Sequence, residues 1–316
     1  MTRSASPEAG EAALGRLPTG LRSPFTVFLQ SLDETLSANT KAAYQRDVFR
    51  YLEYLTDQGV VGVHEIGPDH LQDLLEGLQS RGLAASTVAR NTSSVRQFHR
   101  FLCTQNLCDH DPTQRLAATA LTLTSRVPDV LSHEEATSLI ESAADKQPLG
   151  LRNRAVLELL YGCGMTASEL TLLNTGDVLL KSALVRILGK GARRRTVPIG
   201  EPAVEALCHY VEDGRPELLK PVTGRTFFLS TRGRALSRTS VWNIIQSAAR
   251  SAGIHRAVSP QTLRHTFAAH LVHGGGDLRD VQQLLGHSSI ATSLIYRAHE
   301  DSTDIDTVHR THHPRA

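Results

Sequence analysis

Four residues in the second half of the sequence are of types that can handle a phosphate group together. They are Lys190 in GKGARRRTVP, Arg264 in SPQTLRHTFAAHL, and His287 and Tyr296 in LLGHSSIATSLIY. A tyrosine can attack phosphorus and hold it covalently, and an arginine can bind two phosphate oxygens at once. Lysine can protonate a leaving alkoxide, and histidine can donate a hydrogen bond to a transition-state oxyanion. The set therefore predicts phosphoryl transfer in which no step requires a metal or a nucleotide.

Tyr296 also has a purely structural interpretation. Leu294, Ile295 and Tyr296 could fill one face of a short helix, because apolar residues at helical spacing usually belong to a core. The local sequence alone favours that interpretation. The catalytic interpretation therefore depends on the other three residues and on the motifs around them.

Metal and cofactor sites have little support in the sequence, which contains neither a Walker A motif nor an acidic metal cluster. His99, Cys103, Cys108 and His110 lie close together, but C-x4-C without a second CxxC is a weak zinc pattern. The four cysteines predict no disulfide framework. The histidines of the final HRTHHPRA are typical of a solvated tail. We therefore predict no metal site and no cofactor.

The composition is that of a globular protein with room for two domains. The 316 residues are 40% hydrophobic and 21% charged, with a formal net charge of +2. No run approaches the ~20 apolar residues of a membrane helix. Residues 1–22 are small, polar and interrupted by Gly and Pro, without the apolar segment of a signal peptide. They predict a disordered leader on a cytoplasmic protein that has no membrane partner.

Positive charge is concentrated in two stretches. Six arginines lie between Arg81 and Arg126 against two acidic residues, and GKGARRR occupies residues 189–195. Such stretches can bind a phosphate backbone, although a solvated helix face is the more common explanation for any single one. The candidate nucleic-acid contacts are Arg81, Arg90, Arg96, Arg100, Arg193, Arg194 and Arg195.

The fold predicted is mainly α (α+β), with two domains. Residues 23–112 predict a compact helical domain, because apolar residues recur at helical spacing in four segments. Ser86-Thr87 is expected to cap the fourth helix. Residues 111–130 have no sustained period and contain two prolines, which places a linker at 113–130.

The second predicted domain, residues 131–299, is mostly helical with a small antiparallel sheet. Ser132 and Glu135 form a capping-box pattern at its start. The segment VLLKSALVRILGKGARRRTVPI predicts the strands, because Val185 and Ile187 alternate with other residues before a glycine-rich turn. Residues 300–316 are assigned as a C-terminal tail. Further helices are predicted at Pro202–Val211, Ser240–Ala252, Pro260–His273, Leu278–Leu285 and Ile290–His299.

From about residue 24 onward these motifs, in this order, resemble the tyrosine recombinase or phage integrase family, and its Xer-like members in particular. TKAAYQRDVFRYLEYL and RGLAASTVARNTSSVRQFHRFL are similar to the family's helical core-binding domain. LYGCGMTASELTLLNTGDV resembles the helix that opens its catalytic core. LLGHSS-x6-Y and the HPRA ending are similar to Xer sequences in particular.

The resemblance implies that Tyr296 is a nucleophile that forms a 3′-phosphotyrosyl link to DNA and releases a 5′-hydroxyl. Lys190, Arg264 and His287 match three further catalytic positions. Such proteins form a C-shaped clamp around double-stranded DNA and exchange strands through a Holliday junction, as homo- or hetero-tetramers that can include a sister recombinase. The tail at 300–316 is expected to contact a neighbouring protomer.

Two positions depart from the family pattern. Thr166 in GMTASEL occupies the place of the first family arginine, and Gln261 in SPQTLRH occupies the place of a histidine. Threonine supplies one hydrogen bond and no positive charge, and loss of one preorganised donor costs ~10²–10³ in rate. Gln261 can still donate a hydrogen bond but cannot accept a proton from Tyr296. Arg154 and Arg152 are candidates for a compensating cation, with DNA binding or pairing to an acidic neighbour as the alternative.

Three functional hypotheses remain from the sequence. The first is an active site-specific recombinase. The second is a recombinase-fold DNA-binding subunit or accessory partner whose chemistry is impaired at Thr166 and Gln261. The third is an unrelated helical DNA-binding regulator, which the ordered Lys–Arg–His–Tyr set disfavours.

Overall fold

The structure is a computed structural model that describes residues 14–32, 38–117, 129–143, 145–189, 193–286 and 313–315. The chain divides into two compact units, Met1–Arg126 and Val127–Ala316. The division falls within the predicted linker. None of the helices in the described ranges is long and apolar enough to cross a membrane.

The described residues of the first unit are helical, as predicted. Aromatic side chains fill its core: Phe25 and Phe28 both contact Phe98, with ring centroids 6.4 and 5.2 Å away. The helices are α1 (Thr19–Ser31), α2 (Ala38–Asp57), α3 (Pro68–Ser80) and α4 (Ala85–Thr104), with 3-10 turns at Val63–Glu65 and Pro112–Ala117.

Two local predictions for this unit were wrong. The disordered leader does not extend to residue 22, because Leu17 and Leu21 are buried and α1 begins at Thr19. Leu21 precedes Phe25 by one helical turn and Leu17 precedes Leu21 by the same number of residues, so both leucines extend the apolar stripe and join the core. The fourth helix is not capped by Ser86-Thr87: its N-cap is Ala84, which makes no side-chain capping bond.

Three of the four residues of the weak zinc pattern make side-chain contacts in the structure. His99 is buried, and its Nε2 lies 2.9 Å from the hydroxyl of Tyr51. The Sγ atoms of Cys103 and Cys108 lie 3.1 Å apart, as free thiols. Among the described residues, no group of three His, Cys, Asp or Glu side chains could hold a metal ion.

Burial lowers the pKa of His99 to about 4, against 6.5 for an exposed histidine. As the pH falls below 6.5 the unfolded chain takes up a proton on this imidazole, whereas the folded chain does so only near pH 4. The stabilisation is therefore complete above pH 6.5 and is lost between pH 6.5 and 4, by up to about 3 kcal/mol. Urea unfolding followed by circular dichroism will show this loss in the parent and a smaller loss in His99→Gln. An equal pH dependence in both proteins would contradict the assignment.

The second unit combines helices with the predicted antiparallel sheet. Its strands are β1 (Val178–Leu179), β2 (Leu184–Leu188) and β3 (Arg194–Pro198), in the order β1-β2-β3. The register of β2 and β3 pairs Val185 with Val197 and Leu188 with Arg194. The helices are α5 (His133–Glu141), α6 (Pro148–Gly162), α7 (Ala167–Thr171), α8 (Glu201–His209), α9 (Arg215–Leu218), α10 (Arg238–Ser251), α11 (Pro260–His273) and α12 (Leu278–Leu285), with a 3-10 turn at Leu180–Ser182 and a π-helical segment at Tyr210–Gly214.

A tight reversal after α6 brings the chain back toward the centre of the unit. Helix α6 ends at Gly162, and Gly164 adopts φ +56°. A Cβ at Gly164 would lie 2.5 Å from Cδ1 of Phe267 on α11, so only glycine allows this approach.

Trp242, the only tryptophan in the sequence, lies on α10 with 49% of its surface exposed.

The chain end packs against its own second unit. Arg315 donates to both oxygens of Glu158, which is fully buried on α6. The ring of His313 lies 4.9 Å from that of Tyr161 and 5.1 Å from that of Phe267. Residues 313–315 of the predicted tail are therefore held by a charged pair and by aromatic contacts.

Arg315→Ala is expected to destabilise the second unit by about 3–5 kcal/mol, because it leaves the buried carboxylate of Glu158 without its charged partner. Thermal and urea unfolding will measure this loss. Arg232→Ala, which removes an exposed arginine of the same unit, is the control and should change stability little. Equal stabilities of the two variants would show that the ion pair does not hold the chain end.

Candidate active site

Arg264 lies at the centre of the second unit with 6% of its surface exposed. It is on α11, which starts with Pro260 after a capping box formed by Ser259 and Thr262. Its Nη1 donates to the carbonyl of Gly164 at 2.6 Å, and its Nη2 donates to the carbonyl of Leu285 at 2.6 Å. Arg264 thus ties the reversal after α6 to the last turn of α12.

Thr166 caps a helix at the place where the family resemblance implies an arginine. It is the N-cap of α7, and its hydroxyl accepts a hydrogen bond from the backbone N–H of Glu169 at 3.2 Å. In return, Oε2 of Glu169 accepts from the backbone N–H of Thr166 at 2.8 Å. This capping box stabilises the start of α7 but supplies no positive charge.

The carboxylate of Glu169 also binds Arg195 from β3. Arg195 Nη1 lies 2.5 Å from Oε1 and Nη2 lies 3.1 Å from Oε2, while its Nε donates to the carbonyl of Leu284 at 2.7 Å. Nη1 of Arg264 is 3.7 Å from Oε2. Burial raises the pKa of Glu169, but the hydrogen bonds and charge of Arg195 outweigh it and leave that pKa below its ordinary value. Glu169 is therefore a carboxylate shared by two arginines.

Neither Glu169 nor the role of Arg195 at this site was predicted. Glu169 had a sequence signal, because T-x-x-E before an apolar residue is a capping-box pattern. Arg195 also had one: on β3 it alternates with the same period as the buried Val197, whereas Arg194 and Thr196 are exposed. The run of three arginines hid this signal.

Gln261 lies one turn before Arg264 on α11 and is exposed. Its Nε2 is 3.2 Å from Nε2 of His265. Burial, and then the charge of Arg264, lower the pKa of His265, which favours its neutral form. The Gln261 amide is thus directed to a histidine four residues along the same helix.

Three predicted catalytic residues, Lys190, His287 and Tyr296, lie outside the described residues. Gly189 and Arg193, which flank the segment that contains Lys190, are joined by a hydrogen bond: the Gly189 N–H donates to the carbonyl of Arg193 at 2.7 Å. Gly286, which precedes His287, ends α12 with φ +67°.

The two arginines considered as compensating cations have other neighbours. Arg152 donates to the carbonyl of Leu229 at 3.0 Å and to the side chain of Asn153. Arg154 lines a cavity of about 440 Å³ together with Lys146 and His209. The described contacts of Arg152 and Arg154 do not include Thr166 or Glu169.

The candidate DNA-binding arginines differ in their surroundings. Arg193 and Arg194 are exposed, whereas 12% of the Arg195 side chain is exposed. In the first unit Arg81 and Arg100 are exposed, but Arg90 forms an ion pair with the buried Asp47. Arg96 is half-buried.

The chain has a helical first unit and a mostly helical second unit, which contains a small antiparallel sheet and the buried Arg264. A known class of proteins has this arrangement. Residues 129–303 match the Phage integrase family, and residues 25–106 match the Phage integrase, N-terminal SAM-like domain. The chain belongs to this family, the tyrosine recombinases.

Individual relatives agree with this assignment. The chain is 39% identical to the tyrosine recombinase XerD of Chlorobaculum tepidum, over 90% of this chain and 93% of the relative. It is 38% identical to XerD of Staphylococcus epidermidis strain RP62A, over 92% and 97%. The crystal structure of the XerH site-specific recombinase bound to difH substrate, in a pre-cleavage complex, has the same fold: the TM-score is 0.72, with 21% identity over 90% and 94% of the two chains.

Proposed function

We propose that this protein is a site-specific recombinase that cuts and rejoins duplex DNA through a 3′-phosphotyrosyl intermediate at Tyr296. The observation that supports this most directly is the buried Arg264, held between the reversal after α6 and the end of α12. The family relationship adds the reaction: relatives that match nearly the whole chain are named tyrosine recombinases.

Each catalytic residue has a chemical role in this proposal. Arg264 binds the scissile phosphate and stabilises the charge that develops on it in the transition state. Tyr296 attacks phosphorus and displaces the 5′ oxygen, so that one P–O bond forms as another breaks. Lys190 protonates the leaving oxygen, and His287 donates to a phosphate oxygen.

A second function follows from Thr166: a DNA-binding subunit or accessory partner whose cleavage step is impaired. The hydroxyl and the backbone N–H of Thr166 are both used in the capping box with Glu169. No cation therefore comes from this position. The two functions differ in whether a covalent complex with DNA forms.

Duplexes nicked near the scissile phosphate trap such a covalent complex, because the free fragment leaves after cleavage. Fragments flanking the native gene are first screened for binding, and those bound are then used as nicked substrates. We expect a covalent adduct on a denaturing gel with the parent chain and none with Tyr296→Phe. We expect Thr166→Arg with Gln261→His to accelerate adduct formation by ~10²–10³, because it restores a preorganised charged donor.

Each outcome of this experiment separates the two functions. An adduct in the parent that disappears in Tyr296→Phe supports an active recombinase. Binding without an adduct, followed by an adduct in the Thr166→Arg, Gln261→His protein, supports the impaired subunit. No adduct in either protein on any bound site would contradict both proposals of tyrosine chemistry.

Binding to DNA through phosphate contacts should weaken steeply with salt, because each neutralised phosphate releases condensed counterions. Replacing Arg81 and Arg100 together by Gln should reduce the slope of log K against log salt by about 2, at ~0.9 per contact. Arg90→Gln should reduce it less, because Arg90 is paired with Asp47. Fluorescence anisotropy on one bound site measures all three slopes, and a parent affinity unchanged by salt would refute the proposal.

Assembly on DNA is part of the same proposal. A tetramer, of this chain alone or with a sister recombinase, would exchange strands through a Holliday junction. The tail would contribute to contacts between protomers. In the single chain, residues 313–315 lie against their own second unit, so tail exchange would require release of the Arg315 pair with Glu158.

A further inference from the structure

The carboxylate of Glu169 lies between two arginines but bonds them unequally. Both of its oxygens accept hydrogen bonds from Arg195, at 2.5 and 3.1 Å. Arg264 is 3.7 Å away, beyond hydrogen-bond distance. Arg195 and Glu169 are almost equally buried, with 12% and 10% of their side chains exposed, so their attraction is screened little by solvent.

This arrangement decides how the positive charge of the site is distributed. Arg195 binds both oxygens of Glu169, whereas Arg264 approaches the same carboxylate only to the 3.7 Å of an ion pair. Without Arg195, the nearest strong partner for the buried Glu169 carboxylate is Arg264, because an unpaired buried charge is costly. A short Arg264–Glu169 pair would compete with a phosphate for the same guanidinium.

Arg195 also contacts α12, and only an arginine side chain can make this contact while it binds both oxygens of Glu169. While Nη1 and Nη2 bind Glu169, Nε donates to the carbonyl of Leu284 in the last turn of α12. The neighbouring carbonyl, that of Leu285, accepts from Arg264. Gly286 makes room for this contact, since a Cβ there would lie 3.3 Å from both Cδ and Nη1 of Arg195. Two cations thus hold the carbonyl end of α12, where a helix attracts positive charge.

We infer that Arg195 is a positioning residue of the active site rather than a DNA contact: it keeps the Glu169 carboxylate from forming a short bidentate pair with Arg264, and it anchors the end of α12. Arg264 then keeps its orientation toward the scissile phosphate instead of turning to Glu169. This inference rests on the proposed function for its effect on cleavage. Because Thr166 supplies no charge in this chain, the site depends more strongly on Arg264.

Double substitution distinguishes charge control from simple support of the fold. With saturating nicked DNA, Arg195→Ala should slow adduct formation by up to ~10²–10³, the cost of losing one preorganised donor, because Arg264 would then pair with Glu169 instead of the phosphate. Arg195→Lys should recover little, because an ammonium cannot bind a carboxylate and a carbonyl in this fork geometry. Adding Glu169→Gln to Arg195→Ala should recover about tenfold, because the competing carboxylate is then gone. Arg256→Ala, which breaks the ion pairs with Asp129 and Glu135, is the matched control and should cleave at the parental rate.

Nuclear magnetic resonance on the full chain tests the inference without cleavage. In Arg195→Ala, backbone amides of α12 should exchange faster with solvent relative to those of α8, and the Arg264 Nε–H signal should shift. In the double variant α12 should still exchange fast, because the Leu284 contact is still absent, while the Arg264 signal should return toward its parental position.

The outcomes separate this inference from the proposed function. No adduct with the parent would count against an active recombinase and would leave the resonance measurements to decide the role of Arg195. Parental cleavage in Arg195→Ala would overturn the inference. So would unchanged α12 exchange and an unchanged Arg264 signal in that variant. An Arg195→Ala, Glu169→Gln protein as slow as Arg195→Ala would show that Arg195 only supports the fold.

Discussion

The centre of the second unit is organised by one requirement: the buried guanidinium of Arg264 must have acceptors. A charge removed from water is tolerated only when its hydrogen bonds are satisfied. Backbone carbonyls provide them here, from Gly164 in the reversal after α6 and from Leu285 at the end of α12. Each of these segments has a glycine in a left-handed conformation, Gly164 and Gly286. The geometry of the site therefore depends on backbone turns as much as on the side chains of the motif.

Helices with local start and stop signals were predicted accurately from sequence. Helix α11 begins at Pro260 after the capping residue Ser259, and its bounds are those predicted. The first unit shows where local signals failed. Leu17 and Leu21 belong to the core, but they lie in a stretch rich in small residues, glycine and proline, where composition indicated disorder. Both leucines belong to the same core cluster as Phe98, and composition does not show which distant residues will pack together.

What the sequence could reveal about the surroundings of Arg264 differs by residue. The loss of charge at Thr166 was visible because the motif around it is intact. The compensating candidates Arg152 and Arg154 were chosen by nearness in sequence, and their described contacts are elsewhere. Arg195 is 29 positions from Thr166. It reaches the carboxylate of Glu169, which also binds Thr166, only because β3 pairs with β2 in the observed register. Strand register is a long-range property, which spacing along the chain does not reveal.

The half-exposed Trp242 has a practical consequence for spectroscopy. As the sole indole of the chain, it dominates the intrinsic fluorescence, and it reports from the surface of α10 alone. Because Trp242 lies in the second unit and its indole is already partly exposed to water, its emission will change little when the first unit unfolds. A quencher or a nucleic acid that covers α10 will change it strongly. Trp242 fluorescence is therefore a poor probe of unfolding of the first unit and a good probe of binding at α10.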